Sequence, residues 1–118
     1  MGSGMNKKFL ALGRMKSGER NKTEAAYEAH LEQLKRDGKI QWYKFEGMTL
    51  KLANDTRYTP DFVVLLENGE MECHEVKSVW RDDGKVKLRV AAELFPFRFI
   101  AIYAKPKKEG GGWREEQF

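Results

Sequence analysis

Residues 58–77 read Tyr58-Thr59-Pro60-Asp61-Phe62-Val63-Val64-Leu65-Leu66-Glu67-Asn68-Gly69-Glu70-Met71-Glu72-Cys73-His74-Glu75-Val76-Lys77. Asn68-Gly69 is among the strongest short signals for a tight turn between strands. The apolar run Phe62 to Leu66 lies before it and the stretch Met71 to Val79 after it, which predicts an antiparallel pair. Positions 61 and 75 are equidistant from residue 68, so the spacing predicts Asp61 opposite Glu75. Facing side chains on paired strands lie about 5 Å apart at Cβ. Glu75 and Lys77 are two residues apart and share a face, while Val76 points to the other. Two acids and an amine on one sheet face make a site for a hard divalent cation and a phosphate.

Upstream, Asn21-Lys22-Thr23-Glu24 carries the signature of a helix start, with Asn21 as cap and Glu24 three residues on. The helix is expected to run to Asp37 and stop at Gly38. Tyr27, Leu31 and Leu34 form its apolar stripe, and Glu24 and Glu28 fall along the same side. Ile40 to Phe45 and Met48 to Ala53 read as two strands around Glu46-Gly47, with a turn at Asn54-Asp55. Downstream, Asp82-Asp83-Gly84 reads as a turn. Lys85 to Phe95 then reads as a helix burying Val86, Val90 and Leu94 and broken by Pro96. Phe97 to Ala104 predicts a strand with apolar residues on both faces, as central strands have. Residues 105–112 are expected to be loop and Trp113 to Phe118 a short edge strand. The order of elements predicts an α/β fold, a mixed central β-sheet flanked by helices.

The chain has 118 residues, of which 34% are charged and 41% hydrophobic. That suffices for one compact domain. Residues 1–20 are expected to form an expression scar (Met1 to Gly4) and a basic arm, and residues 21–118 the domain. The longest apolar run, Phe62 to Leu66, is far too short to cross a bilayer, so no membrane partner is expected. A single cysteine, Cys73, excludes an internal disulfide and points to a reducing, cytoplasmic compartment. Charge is uneven. Residues 1–22 carry six cations against Glu19 alone, residues 23–78 are net acidic, and residues 79–118 are net basic again. An acidic centre between basic flanks fits a metal site within a phosphate-binding surface. Lys16, Arg20, Lys22, Lys85 and Lys87 are the candidate nucleic-acid contacts.

Phosphodiester hydrolysis needs a nucleophilic water, neutralised charge at phosphorus and a route for the leaving oxygen. Mg²⁺ supplies these when oxygen ligands leave positions open. Asp61 and Glu75 can provide two carboxylates, the Val76 carbonyl a third ligand, and Lys77 a cation for the water or the phosphate. Glu24 can complete the metal environment.

Pro60-Asp61 followed, after thirteen residues, by Glu75-Val76-Lys77 resembles the PD-(D/E)XK nuclease superfamily, with the Glu24 helix upstream and a helix and strand downstream. The likeness looks greatest to small phage and prophage nuclease-like proteins. It implies a restriction-endonuclease-like αβββαβ core and Mg²⁺-dependent cleavage of DNA, with Mn²⁺ able to substitute. It further implies a phage- or prophage-encoded protein of a bacterial host cell. By that resemblance Asp61 and Glu75 are metal ligands, Lys77 the catalytic lysine and Glu24 the helix acid. Paired cuts on two strands would favour a two-fold homodimer.

Blander readings compete. Glu75 and Lys77 make an ordinary exposed salt bridge if the strand faces solvent. Glu24 reads equally as a capping residue or a ligand, with Glu28 the second choice for helix acid. Lys87 reads as a flank lysine or a phosphate contact. His30 and His74 lack metal-ligand spacing and read as structural or exposed. Cys73 reads as a small buried hydrophobe, and Trp42, Tyr43 and Trp80 as core or sheet-surface aromatics. The rivals to a nuclease are a non-catalytic DNA-binding module retaining the nuclease fold, and a structural protein whose acid cluster is incidental.

Overall fold

The computed structural model describes residues 19–77 and 82–118. Residues 1–18 of the N-terminal arm, Lys16 among them, and Val79 and Trp80 lie outside the described residues.

Helix α1 (Lys22–Arg36) begins where the capping signature places it. The Asn21 side chain accepts from the Glu24 backbone N–H at 2.8 Å, and Glu24 Oε1 accepts from the Asn21 N–H at 2.9 Å. This reciprocal pair satisfies two of the donors a helix start leaves open. At the other end Asp37 is the cap and Gly38 takes φ +77°, a left-handed turn that favours glycine. Tyr27 and Leu31 are buried, as the stripe predicts.

Among the described residues seven strands follow the helix: β1 (Ile40–Phe45), β2 (Leu50–Ala53), β3 (Thr56–Tyr58), β4 (Phe62–Leu66), β5 (Met71–Lys77), and, after helix α2 (Asp82–Leu94), β6 (Arg98–Ala104) and β7 (Trp113–Gln117). The main sheet has the order β1-β4-β5-β6-β7. Only the β5–β6 pair is parallel, as a helical crossover between them requires. The fold is therefore α/β, with a mixed central sheet and, among the described residues, two α-helices. No helix among the described residues is long and apolar enough to cross a membrane.

The β4–β5 register is the one the Asn-Gly turn predicts. Phe62 pairs with His74 and Val63 with Cys73, which sets Asp61 and Glu75 opposite each other at the next position. Period-two alternation then sorts the core. Phe62, Val64, Val76, Ile100 and Ile102 pack beneath α1 with Tyr27 and Leu31. Cys73, Phe99 and Ala101 face the other way, onto α2 and the β2–β3 hairpin. Each large apolar side chain buried in this way is worth about 1.5–3 kcal/mol.

The two strands expected around Glu46-Gly47 are present, the second shortened to Leu50–Ala53, but they do not pair with each other. Glu46 takes φ +49° and its N–H donates to the Asp61 carbonyl at 2.8 Å, so the chain leaves the sheet there. Strand β1 pairs with β4, and β2 pairs with β3 as a separate two-stranded sheet. Thr56–Tyr58 thus belongs to the small sheet and Phe62 onward to the large one. The buried face of α2 is also not Val86, Val90 and Leu94. Leu88 and Ala91 are fully buried, with Ala92 and Phe95 packed alongside, while Val86 and Leu94 are each 54% exposed. The small side chain of Ala91 lets the helix approach closely, and it outweighs the larger residues of the other stripe. The helix also starts earlier than expected, at Asp82.

Candidate active site

Asp61 follows Pro60 at the entry to β4, and Glu75 and Lys77 lie on the last turn of the β5 pleat. All three meet at one end of the sheet. Asp61 Oδ2 accepts from the Val76 backbone N–H at 2.8 Å. Because the N–H and C=O of one strand residue point to the same neighbour, the Val76 carbonyl is turned towards the Asp61 side. Lys77 Nζ lies 3.2 Å from Glu75 Oε2. The other carboxylate oxygen, Oε1, accepts from the Tyr58 hydroxyl at 2.9 Å. Glu75 is thus gripped at both oxygens.

The pair is electrostatically unsettled. Burial first, then the neighbouring Glu75, pushes Asp61 up to about 8, against an opposing hydrogen bond from Val76. Burial also raises Glu75, although Lys77 and Tyr58 pull against it. Burial alone would lower Lys77; Glu75, and behind it Asp61 and Glu24, overcome that and leave it raised, so it stays an ammonium. Burial and Glu75 raise Tyr58, so its hydroxyl remains a donor. Two carboxylates in one partly dry site cannot both ionise comfortably beside a single ammonium.

Glu24 is half-buried at the start of α1. Its carboxylate is held by the capping bond to Asn21, so the capping reading is met in full. Its charge nevertheless reaches Asp61 and Lys77, which places it near the pair. It is not gathered into a third ligand position: among the described residues no group of three or more His, Cys, Asp and Glu side chains converges to hold a metal. The side-chain donor set is the pair Asp61 and Glu75, and the Val76 carbonyl adds a backbone oxygen. Glu28, the second choice for the helix acid, is occupied by an ion pair with Arg20 and accepts from Tyr43.

Among the predicted nucleic-acid contacts, the Arg20 guanidinium pairs with Glu28 and lies over the Phe45 ring. Lys22 is exposed at the first position of α1. Lys85 is half-buried near the start of α2, and exposed Lys87 donates to the Arg57 carbonyl at 3.2 Å.

Sequence reasoning missed Tyr58 as a functional residue. It precedes the Pro-Asp motif by two positions, yet its partner is seventeen residues away and reachable only because β2–β3 folds back over the sheet. It missed equally the chain in which the Tyr27 hydroxyl meets His74 Nδ1 at 2.7 Å and His74 Nε2 meets Glu72 Oε1 at 2.9 Å. His74 is structural, as expected; its helix partner is Tyr27, 47 residues away. Cys73 is buried, and burial pushes its thiol up to about 12, which suits an inert hydrophobe. The chain matches no protein-family model, no curated protein and no solved structure.

Proposed function

We propose that this protein is a Mg²⁺-dependent endonuclease that hydrolyses phosphodiester bonds in DNA. The observation carrying the reading is the juxtaposition of Asp61 and Glu75 on facing strand positions, with the Lys77 ammonium 3.2 Å from Glu75. Two buried carboxylates whose proton affinity is raised, Glu75 by burial and Asp61 by burial and by Glu75, are a poor structural device and a good cation site. The residues fit such a cation. Val76 N–H occupies only one oxygen of Asp61, the Val76 carbonyl is turned to the same side, and two carboxylates leave room for water and phosphate. A bound Mg²⁺ would supply Lewis acidity at phosphorus and lower the pKa of water.

The chain's own groups divide the remaining work. Asp61 and Glu75 hold and orient the cation. Tyr58 fixes the rotation of the Glu75 carboxylate. Lys77 aligns the attacking water or meets the charge that develops on the phosphate. Glu24, capped onto Asn21, stays an outer acid whose charge helps keep Lys77 protonated. The element order supports the finer fold reading. With β2–β3 set aside as an insertion, the chain runs α1, the antiparallel strands β1, β4 and β5, then α2 and the parallel strand β6, the αβββαβ order of a restriction-endonuclease-like core. A two-fold dimer would present two such sites for paired cuts.

The test is incubation of the purified chain with linear and branched DNAs and with supercoiled plasmid in Mg²⁺, Mn²⁺, Ca²⁺ and EDTA. Cleavage is expected with Mg²⁺ and Mn²⁺, little with Ca²⁺ and none in EDTA. Equal activity in EDTA would overturn the metal mechanism. Salt-sensitive DNA binding with no cleavage under any condition would replace it with the non-catalytic binding module.

A further inference from the structure

We infer that the outer face of the β2–β3 hairpin is a docking surface for the nucleic-acid backbone, where Lys51 and Arg57, joined by Lys87 of α2, hold phosphates of the bound strand. The inference rests on the nuclease reading for its partner and adds the surface that presents the substrate.

The hairpin's pleat separates two jobs. Leu50 and Tyr58 are cross-strand partners and both are buried against the main sheet. Lys51 and Arg57 are the next pair, so they project from the opposite face, and both are exposed. Two cations directly opposite each other repel, which is an unfavourable choice for a two-stranded element of seven residues. No acid relieves it: among the described residues neither side chain has an ion pair. The only acid on the hairpin is Asp55, in the tip turn. Several arginines elsewhere on the surface are engaged. Arg20 pairs with Glu28, Arg36 with Glu32 and Arg98 with Glu70 and Glu72.

A third cation is brought to the same edge. Lys87 Nζ donates to the Arg57 carbonyl at 3.2 Å, so its ammonium is held at the backbone of β3. All three carry unspent donors suited to phosphate oxygens and to nothing sequence-specific. Their placement points to the substrate. Tyr58 follows Arg57 directly and its hydroxyl reaches Glu75 at 2.9 Å; Asp61 comes three residues later. The hairpin that carries these cations on its outer face thus carries, on its inner face, the residue that orients the candidate metal ligand. The chemistry expected of the ligand is a run of adjacent phosphodiesters on one nucleic-acid strand.

The experiment measures binding of a short fluorescent DNA duplex by anisotropy across a salt series in Ca²⁺, with three double variants. Lys51→Ala/Arg57→Ala should flatten the plot of log affinity against log salt by about 1.8, two phosphates' worth. Over a fourfold rise in salt, wild-type affinity should then fall about tenfold more than the variant's. Lys51→Arg/Arg57→Lys should keep the wild-type slope. Lys35→Ala/Lys39→Ala should also keep it, because those cations lie at the opposite end of the sheet, where the Lys39 carbonyl meets the β4–β5 turn. Thermal melting of the alanine pair should be unchanged or higher, since a repulsive pair has gone. Wild-type binding with an unchanged slope in the alanine pair overturns the hairpin surface and leaves the nuclease reading standing. An equal flattening in the Lys35/Lys39 control also overturns it, in favour of diffuse charge. No DNA binding by the wild type overturns both. A hairpin-dependent slope without cleavage in Mg²⁺ upholds the surface and removes the nuclease.

Discussion

Strand β5 buries Glu72 near its start and Glu75 near its end, on opposite faces of the sheet. Under α1, Glu72 accepts from His74 at 2.9 Å and has the Arg98 guanidinium at 3.5 Å. His74 completes its own bonding through the Tyr27 hydroxyl at 2.7 Å. In the Nε2–H tautomer of His74, Tyr27 and His74 each donate once along a chain that ends at the acid. Burial raises Tyr27, with Glu115 and Glu72 adding to it, so its hydroxyl stays protonated. On the other face, Glu75 shares one ammonium with a second carboxylate, and both acids are raised. The first cluster is a closed hydrogen-bonded network that ties a helix to the sheet. The second lacks one positive charge. Buried acids alone do not mark a site; what marks it is an acid whose neighbours leave its charge uncompensated.

The largest expected effect breaks this contrast at its catalytic end. Lys77→Ala should fold and still bind Mn²⁺, because Asp61 and Glu75 remain, yet lose cleavage by about a hundred- to a thousandfold. Lys77→Arg should rescue poorly, since a planar guanidinium does not replace a compact ammonium. Asp61→Asn should lose metal binding and cleavage together. Plasmid nicking and Mn²⁺ binding on the same preparations check all three. Wild-type cleavage by folded Lys77→Ala would return Glu75 and Lys77 to an ordinary ion pair.

The next effect is on stability and its pH dependence. Asp61 sits at about 8 in the folded protein against an ordinary 3.8, so the native state retains a proton that the unfolded chain releases. Stability from this source is intact below about pH 4 and is lost as pH rises towards 8. The melting temperature of Asp61→Asn should therefore gain on wild type between pH 5 and pH 8. Mg²⁺ should restore the wild type at pH 8 and leave the variant unmoved, because a ligand stabilises only the state that binds it. Parallel melting curves across this range, with and without Mg²⁺, would show that Asp61 is not a frustrated buried acid.

On the satisfied side, Tyr27→Phe keeps the ring beneath α1 but strands His74 Nδ1. A buried polar group left unpaired costs about 1–3 kcal/mol. Denaturant unfolding should register that loss, while cleavage per folded molecule stays at the wild-type level. A matching fall in cleavage would mean that the two faces of β5 act as one unit.

The sequence makes the site legible where local rules govern it. Asn68-Gly69 sets the β4–β5 register, and the register alone brings Asp61 to Glu75. Asn21 and Glu24 declare the helix start, and the same signature explains why Glu24 is capped rather than drawn into a ligand cluster. The rest depends on contacts between distant segments. Nothing local distinguishes Leu88 and Ala91 from Val86 and Val90 as the buried face of α2; that choice is made by the hairpin and β6 packed against it. Nor does local pattern reveal that Glu46 turns out of the sheet and frees residues 50–58 to fold over it. Tyr27 and His74 are likewise joined only by the docking of α1.

Tyr58 is the residue that the β2–β3 hairpin delivers to the site, and its substitution carries the smallest expected effect. Tyr58→Phe preserves the ring among Leu50, Cys73, Leu88 and Phe99 and removes only the donor on Glu75 Oε1. The apo protein should remain folded, since Glu75 is already raised and can meet the loss by holding a proton. Metal binding requires that proton to leave, so the missing donor should be felt there. A net hydrogen-bond contribution of about 1 kcal/mol corresponds to roughly a fivefold weaker Mn²⁺ affinity. Saturating Mg²⁺ should recover most of the cleavage, which separates orientation of a ligand from the chemical step that Lys77 serves. If the Mn²⁺ affinity of Tyr58→Phe equalled wild type while its melting temperature fell, Tyr58 would belong with Tyr27 as a packing residue, and the two faces of β5 would differ less than their hydrogen bonds imply.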